Sequence, residues 1–205
     1  MEGDVSLQLP AGQPAPAEAA RAKHDAVRDD FAEAVLSGLA RKERSIPCRF
    51  FYDAVGSELF EEITKLDEYY PTRAETQLLE THRGEIAGLV GAGRVLIEFG
   101  SGSSRKTSLL VGALGKVPVY IPIDIAAESL KEAATWLSEQ HEGLTILPLI
   151  ADFTKTRSLP RAAQRRRKLG FFSGSTIGNL GHAEAEAFLA NATRLLGKGL
   201  SLIHI

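Results

Sequence analysis

The chain has 205 residues, a formal net charge of -2, 44% hydrophobic residues and 24% charged residues. This composition is typical of a soluble globular domain with one core, and the small net charge gives no global field that would recruit nucleic acid or an anionic membrane. A single cysteine excludes both a disulfide framework and Cys-based zinc spacing. There is no bilayer-length apolar stretch and no secretory signal, so we expect a cytoplasmic protein that needs no membrane, nucleic acid or metal.

The first ninety residues predict a leader followed by helices. Residues 1–17 are rich in Pro, Ala, Gly and Gln and predict a disordered leader. Residues 18–41 show the spacing of an amphipathic helix. Ser57 is expected to cap a short second helix, and Thr72 with Glu75 predicts a capping box at the start of a third helix that ends near residue 90.

After residue 90 the hydrophobic period changes, and strands begin to alternate with helices. This alternation predicts an α/β fold, a parallel sheet with helices on both faces. Strands are expected at 94–99, 117–123, 144–150, 170–173 and 200–205, and helices at 105–115, 128–140, 158–167 and 183–197.

The stretch "IEFGSGSSRKTSLL" places a glycine turn between the first strand and the next helix. Gly100 and Gly102 allow the backbone to approach a ligand closely. The dinucleotide fingerprint fails because Arg105 occupies its third glycine position, and the spacing of a phosphate-binding P-loop is also absent. By itself this turn is only a weak signal for a nucleotide.

Acidic residues at the ends of neighbouring strands strengthen that signal. Glu98 ends the first strand, Asp124 the second and Asp152 the third. Asp124 suits both hydroxyls of a ribose, Asp152 suits an exocyclic amine, and Phe153 suits the flat face of a purine. Together they describe an adenosine site without pyrophosphate, which favours S-adenosylmethionine over NAD. Helix capping by Asp124 and a turn role for Asp152 are the structural alternatives.

The segment "GSTIGN" follows the fourth strand and supplies polar groups on a glycine-flexed loop. Thr176 and Asn179 are candidates to face an acceptor, because reacting atoms in this fold class lie just beyond that strand. An ordinary polar surface loop is the alternative.

Several stretches together resemble the S-adenosylmethionine-dependent histidine Nα-methyltransferases of ergothioneine biosynthesis. They are "FFYDAVGSELFEEIT", "EYYPTRAETQLL", "EFGSGSSRKT", "PIDI", "DF" at 152–153 and "GSTIGNL", and they occur in family order over roughly residues 45–203. The resemblance implies a Rossmann-like class I methyltransferase sheet with a substrate domain. It also implies S-adenosylmethionine as cofactor and trimethylation of the L-histidine α-amine to hercynine.

The resemblance also assigns roles by position. It implies that Tyr52 and Asn179 contact the substrate in the catalytic centre, with Asn179 at the imidazole. The cofactor residues implied are Gly100, Ser101, Gly102, Lys106, Asp124, Asp152 and Phe153, and the substrate residues are Tyr52, Tyr69, Gly174, Thr176 and Asn179.

The family's sequence continues beyond the point where this chain stops, at "GLSLIHI". We therefore expect a C-terminally truncated form with an incomplete sheet. Residues 18–90 would contribute to the substrate site and residues 91–205 would form the cofactor domain, most simply as a monomer. A tryptophan-derived amine is an alternative acceptor, and a fragment that binds cofactor without activity is an alternative function.

Overall fold

The computed structural model describes residues 16–204, with side chains given for 28–53 and 55–204. The chain divides into two compact units, the first ending at Phe50 and the second beginning at Phe51. Of the predicted leader, residues 1–15 lie outside the described residues, whereas Pro16 already begins helix α1 (Pro16–Leu39).

The described part of the first unit is held by contacts between α1 and the chain before Phe51. Arg49 forms an ion pair with Asp30 at 3.0 Å, and its guanidinium lies 4.5 Å from the centre of the Phe50 ring. The rings of Phe31 and Phe50 pack edge to face, with centroids 5.1 Å apart. A cation above an aromatic face and an edge-to-face ring pair are both favourable arrangements.

Two helices open the second unit, and their N-terminal caps differ from the prediction. Helix α2 (Ala54–Ile63) is capped by Asp53, whose Oδ1 accepts the Gly56 N–H at 2.7 Å, so the prediction that Ser57 caps it is wrong. Helix α3 (Pro71–Val90) starts with a proline and has no side-chain cap. The predicted Thr72–Glu75 capping box is therefore wrong, and the Glu75 side chain is engaged elsewhere.

A parallel sheet forms the centre of the second unit and confirms the predicted fold class. The predicted third strand divides into two short pieces, because Pro148 has no N–H to continue the ladder. The strands are β1 (Val95–Phe99), β2 (Val119–Asp124), β3 (Thr145–Ile146), β4 (Leu149–Ile150), β5 (Lys168–Phe172) and β6 (Ser201–His204). Their order is β3-β2-β1-β5-β6, and β4 also pairs with β2.

Helices cover both faces of this sheet. The remaining ones are α4 (Arg105–Leu114), α5 (Ala127–Gln140) and α6 (His182–Leu196). One face packs against α6 through Phe188 and Leu196, and the other packs against α3, α4 and α5 through Leu79, Leu110 and Leu137. Side chains alternate between the faces of a strand, so the two cores share β1 and β2.

The predicted helix at 158–167 is wrong. Only a short 3-10 turn, Arg161–Ala163, forms there. Gln164 is extended and Arg165 has a φ of +60°, so the backbone leaves the helical region after one turn. Within residues 16–204, no helix combines the length and the apolar character needed to cross a bilayer.

Candidate cofactor and acceptor site

Three groups of predicted site residues follow three neighbouring strands. β1 lies between β2 and β5, and all three run parallel. Their carboxyl ends, Phe99, Asp124 and Phe172, therefore meet at the same edge of the sheet, where ligands bind in open α/β folds. The glycine turn, the Asp124 loop and the "GSTIGN" loop all begin there.

The glycine turn depends on left-handed backbone conformations. Gly100 has a φ of +76° and Gly102 a φ of +49°, a region that glycine enters without steric cost. The Gly100 N–H donates to the Ile123 carbonyl at 2.8 Å, and the Gly102 N–H donates to Asp124 Oδ2 at 3.4 Å. These bonds fix the turn to the end of β2.

Glu98 lies beneath this turn, and only 1% of it is exposed. Its carboxyl oxygens accept from the Thr107 hydroxyl at 2.8 and 2.7 Å and from the Tyr120 hydroxyl, which also lies 3.2 Å from the Ser104 hydroxyl. Burial raises the pKa of Glu98 to about 8, although the hydrogen bonds from Tyr120 and Thr107 oppose that rise. Glu98 is therefore a buried residue that links Thr107 of α4 to Tyr120 of β2, and it is not available to a ligand.

Asp124 links the loops that follow β1 and β2. Its Oδ1 accepts the Ala126 N–H at 3.0 Å, in addition to the Gly102 contact of Oδ2. The residue is half-buried at the end of β2. The bonds to Gly102 and Ala126 hold this carboxylate in place. Its contact with a ribose stays a prediction.

Asp152 forms a local turn. Its Oδ1 accepts from the Thr154 N–H at 2.9 Å and from the Thr154 hydroxyl at 2.5 Å, and Lys155 lies 3.7 Å from Oδ2. This is the turn role that the sequence left open, and the contact to an exocyclic amine stays a prediction.

Phe153, in the loop after β4, lies close to the glycine turn. An atom of its ring lies 3.6 Å from the place where a Cβ on Gly100 would stand. The ring also packs edge to face on Phe172 and Phe188, with centroids 5.5 and 5.3 Å away. A fixed aromatic surface therefore adjoins the turn, as a flat ligand requires.

Ser101 supplies the clearest test of whether the turn suits a polar ligand. The residue is 6% exposed, and its hydroxyl oxygen has no hydrogen-bond partner among the described residues. Buried polar groups normally have partners, because an unpaired group loses its water without compensation. An unpaired hydroxyl in a glycine turn fits a ligand that brings its own polar atoms.

The two predicted substrate tyrosines flank one ring that the sequence analysis did not select. The centroid of Phe60 lies 5.9 Å from that of Tyr52 and 5.8 Å from that of Tyr69, and both contacts are edge to face. The Arg73 guanidinium donates to the Leu66 carbonyl at 2.8 Å and so fastens the segment before Tyr69. Phe60 lies on α2, whereas Tyr52 and Tyr69 lie outside that helix, so no spacing within one element signalled this grouping.

The "GSTIGN" loop, residues 174–179, is called the acceptor loop below and also contains left-handed backbone. Gly174 has a φ of +76° and Ser175 a φ of +56°. The Thr176 hydroxyl donates to the Ser173 carbonyl at 2.9 Å and begins a 3-10 turn, Thr176–Asn179, whose last residue is exposed. The loop is therefore shaped by its own hydrogen bonds and presents Asn179 outward.

Glu75 is the main residue that sequence reasoning assigned incorrectly. It is 5% exposed; its Oε1 accepts the Gly174 N–H at 2.8 Å, and its Oε2 accepts from Lys106 Nζ at 2.5 Å. Lys106, predicted on the cofactor side, thus lies beside the acceptor loop, and its cofactor role stays a prediction. No local pattern signals this contact, because Glu75 and Gly174 are far apart in the chain.

The parallel sheet with helices on both faces places the second unit in the Rossmann-like fold class. The solved structure of a SAM-dependent methyltransferase from Leishmania major matches 86% of this chain and covers 67% of that protein, with a TM-score of 0.57 and 18% identity. This likeness concerns the fold alone.

The sequence comparisons define the family more narrowly. The family model described as "histidine-specific methyltransferase, SAM-dependent" matches residues 31–204, so the chain belongs to this family. The histidine N-alpha-methyltransferase of Mycobacterium tuberculosis is 40% identical over 186 residues, which are 89% of this chain and 56% of that protein. Ergothioneine biosynthesis protein 1 of Neurospora crassa is 33% identical over 159 residues, 75% of this chain and 18% of that protein. The chain thus spans about half the length of the mycobacterial relative.

Proposed function

We propose that this chain takes part in the S-adenosylmethionine-dependent methylation of the L-histidine α-amine to hercynine, a step of ergothioneine biosynthesis. The observation that carries the proposal is the meeting of the glycine turn, Asp124 and the "GSTIGN" loop at one edge of the sheet, in a chain of the histidine-specific family. The names of the two reported relatives support histidine as the acceptor and ergothioneine as the product pathway.

The glycine turn and its neighbours would hold S-adenosylmethionine. Gly100 and Gly102 allow close backbone approach, Ser101 offers an unpaired buried hydroxyl, Asp124 offers carboxylate oxygens and Phe153 offers a ring face. When bound, this cofactor supplies a methyl group that is already electrophilic because it is attached to a sulfonium. The protein therefore has to position the acceptor rather than activate the methyl group.

The acceptor side would recognise the amino acid. A neutral imidazole has one donor and one acceptor nitrogen, and the Asn179 amide can pair with either. The α-amine must be neutral to react, yet the product carries a fixed positive charge. The Tyr52 and Tyr69 rings would favour that change, since attraction between a cation and an aromatic face is worth about 0.5–2 kcal/mol.

Incubating the protein with S-adenosylmethionine and histidine, followed by mass spectrometry, tests the proposal. We expect products heavier by one, two and three methyl groups. A parallel incubation with a tryptophan-derived amine tests the alternative acceptor, and methylation of that amine alone would reject histidine.

Calorimetry separates an enzyme from a binding module. S-adenosylhomocysteine is titrated first, and histidine is then added to the complex. Cofactor binding in this titration, together with histidine turnover in the incubation with S-adenosylmethionine, supports the proposal. Cofactor binding without turnover of either amine would instead favour a module that binds cofactor without methyl transfer.

A further inference from the structure

We infer that Glu75 is a positioning residue for the acceptor loop, acting through the backbone N–H of Gly174. This inference rests on the proposed function, because it concerns the loop that would present Thr176 and Asn179 to the amino acid. Glu75 itself stands on α3, outside the loop and outside the glycine turn.

The Glu75 carboxylate joins three elements of the second unit. From α3 it accepts the Gly174 N–H at 2.8 Å, at the start of the loop after β5, and it accepts from Lys106 Nζ on α4 at 2.5 Å. Each oxygen therefore has its own partner. The Gly174 N–H donates to Glu75 Oε1, so Glu75 ties the point where the loop leaves the sheet to α3.

The charge arrangement explains why an acid can occupy this buried position. A carboxylate loses solvation when buried, and a cationic partner with additional hydrogen bonds compensates for that loss. Lys106 Nζ provides the cation, and it lies 3.5 Å from the position that a Cβ on Gly174 would occupy. Lys106 thus holds the Glu75 carboxylate while the other oxygen holds the loop.

An external contact is useful to this loop because two of its residues have left-handed backbone conformations. Gly174 and Ser175 both have positive φ values, and Ser175 pays a steric cost there that glycine does not. Thr176 and Gly178 are hydrogen-bonded within the loop, to Ser173 and Ser175 respectively. These internal bonds set the shape of the turn, whereas Glu75 sets where the turn sits relative to α3 and α4.

The inference is tested with two substitutions of similar size in the full chain, Glu75→Gln and Glu75→Met. Both remove the charge and leave Lys106 without its partner, but only glutamine keeps an oxygen that can accept the Gly174 N–H. We expect amide hydrogen exchange at residues 174–179 to be faster in Glu75→Met than in Glu75→Gln. We expect the KM for histidine to be roughly ten- to a hundredfold higher in Glu75→Met than in Glu75→Gln. The KM for S-adenosylmethionine should be similar in the two variants.

Glu80→Gln, at an exposed position of the same helix, is the control and should match the unsubstituted protein in both measurements. If the unpaired Lys106 prevents folding, the two substitutions are compared by exchange with Lys106→Met also present. Equal loop exchange in the Gln and Met variants would overturn the inference, as would faster exchange spread evenly through the sheet. Absence of histidine turnover in the unsubstituted protein would count against the proposed function, while the exchange comparison would still decide the role of Glu75.

Discussion

The backbone N–H of Gly102 donates to the Oδ2 of Asp124 at 3.4 Å and thereby joins the turn after β1 to the end of β2. The other oxygen of Asp124 accepts from Ala126 at 3.0 Å. One carboxylate therefore orders both loops that would surround a nucleoside. This relationship makes Asp124 the most informative residue for testing the cofactor site.

Replacing Asp124 with alanine should weaken cofactor binding by about 1–3 kcal/mol, the usual cost of removing a partner from a buried polar group. Asp124→Asn should lose less, because its remaining carbonyl oxygen can still accept one backbone N–H. Calorimetry with S-adenosylhomocysteine measures both changes, and Glu128→Gln on the exposed start of α5 is the control. Unchanged affinity in the alanine variant would reject the ribose role.

Replacing Asn179 should separate the acceptor from the cofactor. In Asn179→Asp the side chain keeps its shape but loses its donor, so it can pair with only one of the two imidazole nitrogens. We expect histidine turnover to fall and the affinity for S-adenosylhomocysteine to stay within about twofold, since the hydrogen bond lost to the substrate is local. The reverse pattern, with weaker cofactor binding and normal turnover, would contradict the division of the site.

Glu98 should make the stability of the fold depend on pH. Its pKa is raised from 4.5 to about 8 in the folded protein, so its contribution to stability is fully present below pH 4.5 and is lost as the pH rises to about 8. Glu98→Gln does not titrate. The melting temperature of Glu98→Gln minus that of the unsubstituted protein should therefore become larger as the pH rises from 4.5 to about 8. A constant difference across the range would show that Glu98 is not held in its neutral form.

Gly56 should be required for the placement of Tyr52. A Cβ at this position would stand 1.8 Å from the Phe51 carbonyl oxygen, and Gly56 also donates its N–H to the capping residue Asp53. Gly56→Ala should therefore shift the chain before α2 and destabilise the protein by about 1–3 kcal/mol, a usual cost of overpacking. Gly84→Ala on α3 is the matched control, because beyond the neighbouring backbone of its own helix no described atom lies within 4 Å of its Cβ position. Thermal melting compares the two, and equal stability would show that the close approach at Gly56 is relieved without cost.

Prediction from sequence succeeded where the signal was local and periodic. Alternating strands and helices predicted the parallel sheet, and the glycine turn and Asp124 were placed at adjacent strand ends. Errors occurred where one side chain had competing uses. Glu75 fits a capping-box pattern, but its carboxylate pairs with Lys106 and Gly174 instead, and Asp53 takes the capping role expected of Ser57.

Apart from the helix expected at 158–167 and the division of the third strand, the sequence by itself determined the alternation of strands and helices. It also determined the family and the chemical character of the residues after each strand. These properties depend on hydrophobic period and on short motifs, which are encoded by neighbouring residues. Only the tertiary structure decided that Glu98 lies beneath the glycine turn and that Glu75 fixes the acceptor loop. Such contacts depend on how α3 and α4 pack against the sheet, and packing between distant segments leaves no periodic trace in the sequence.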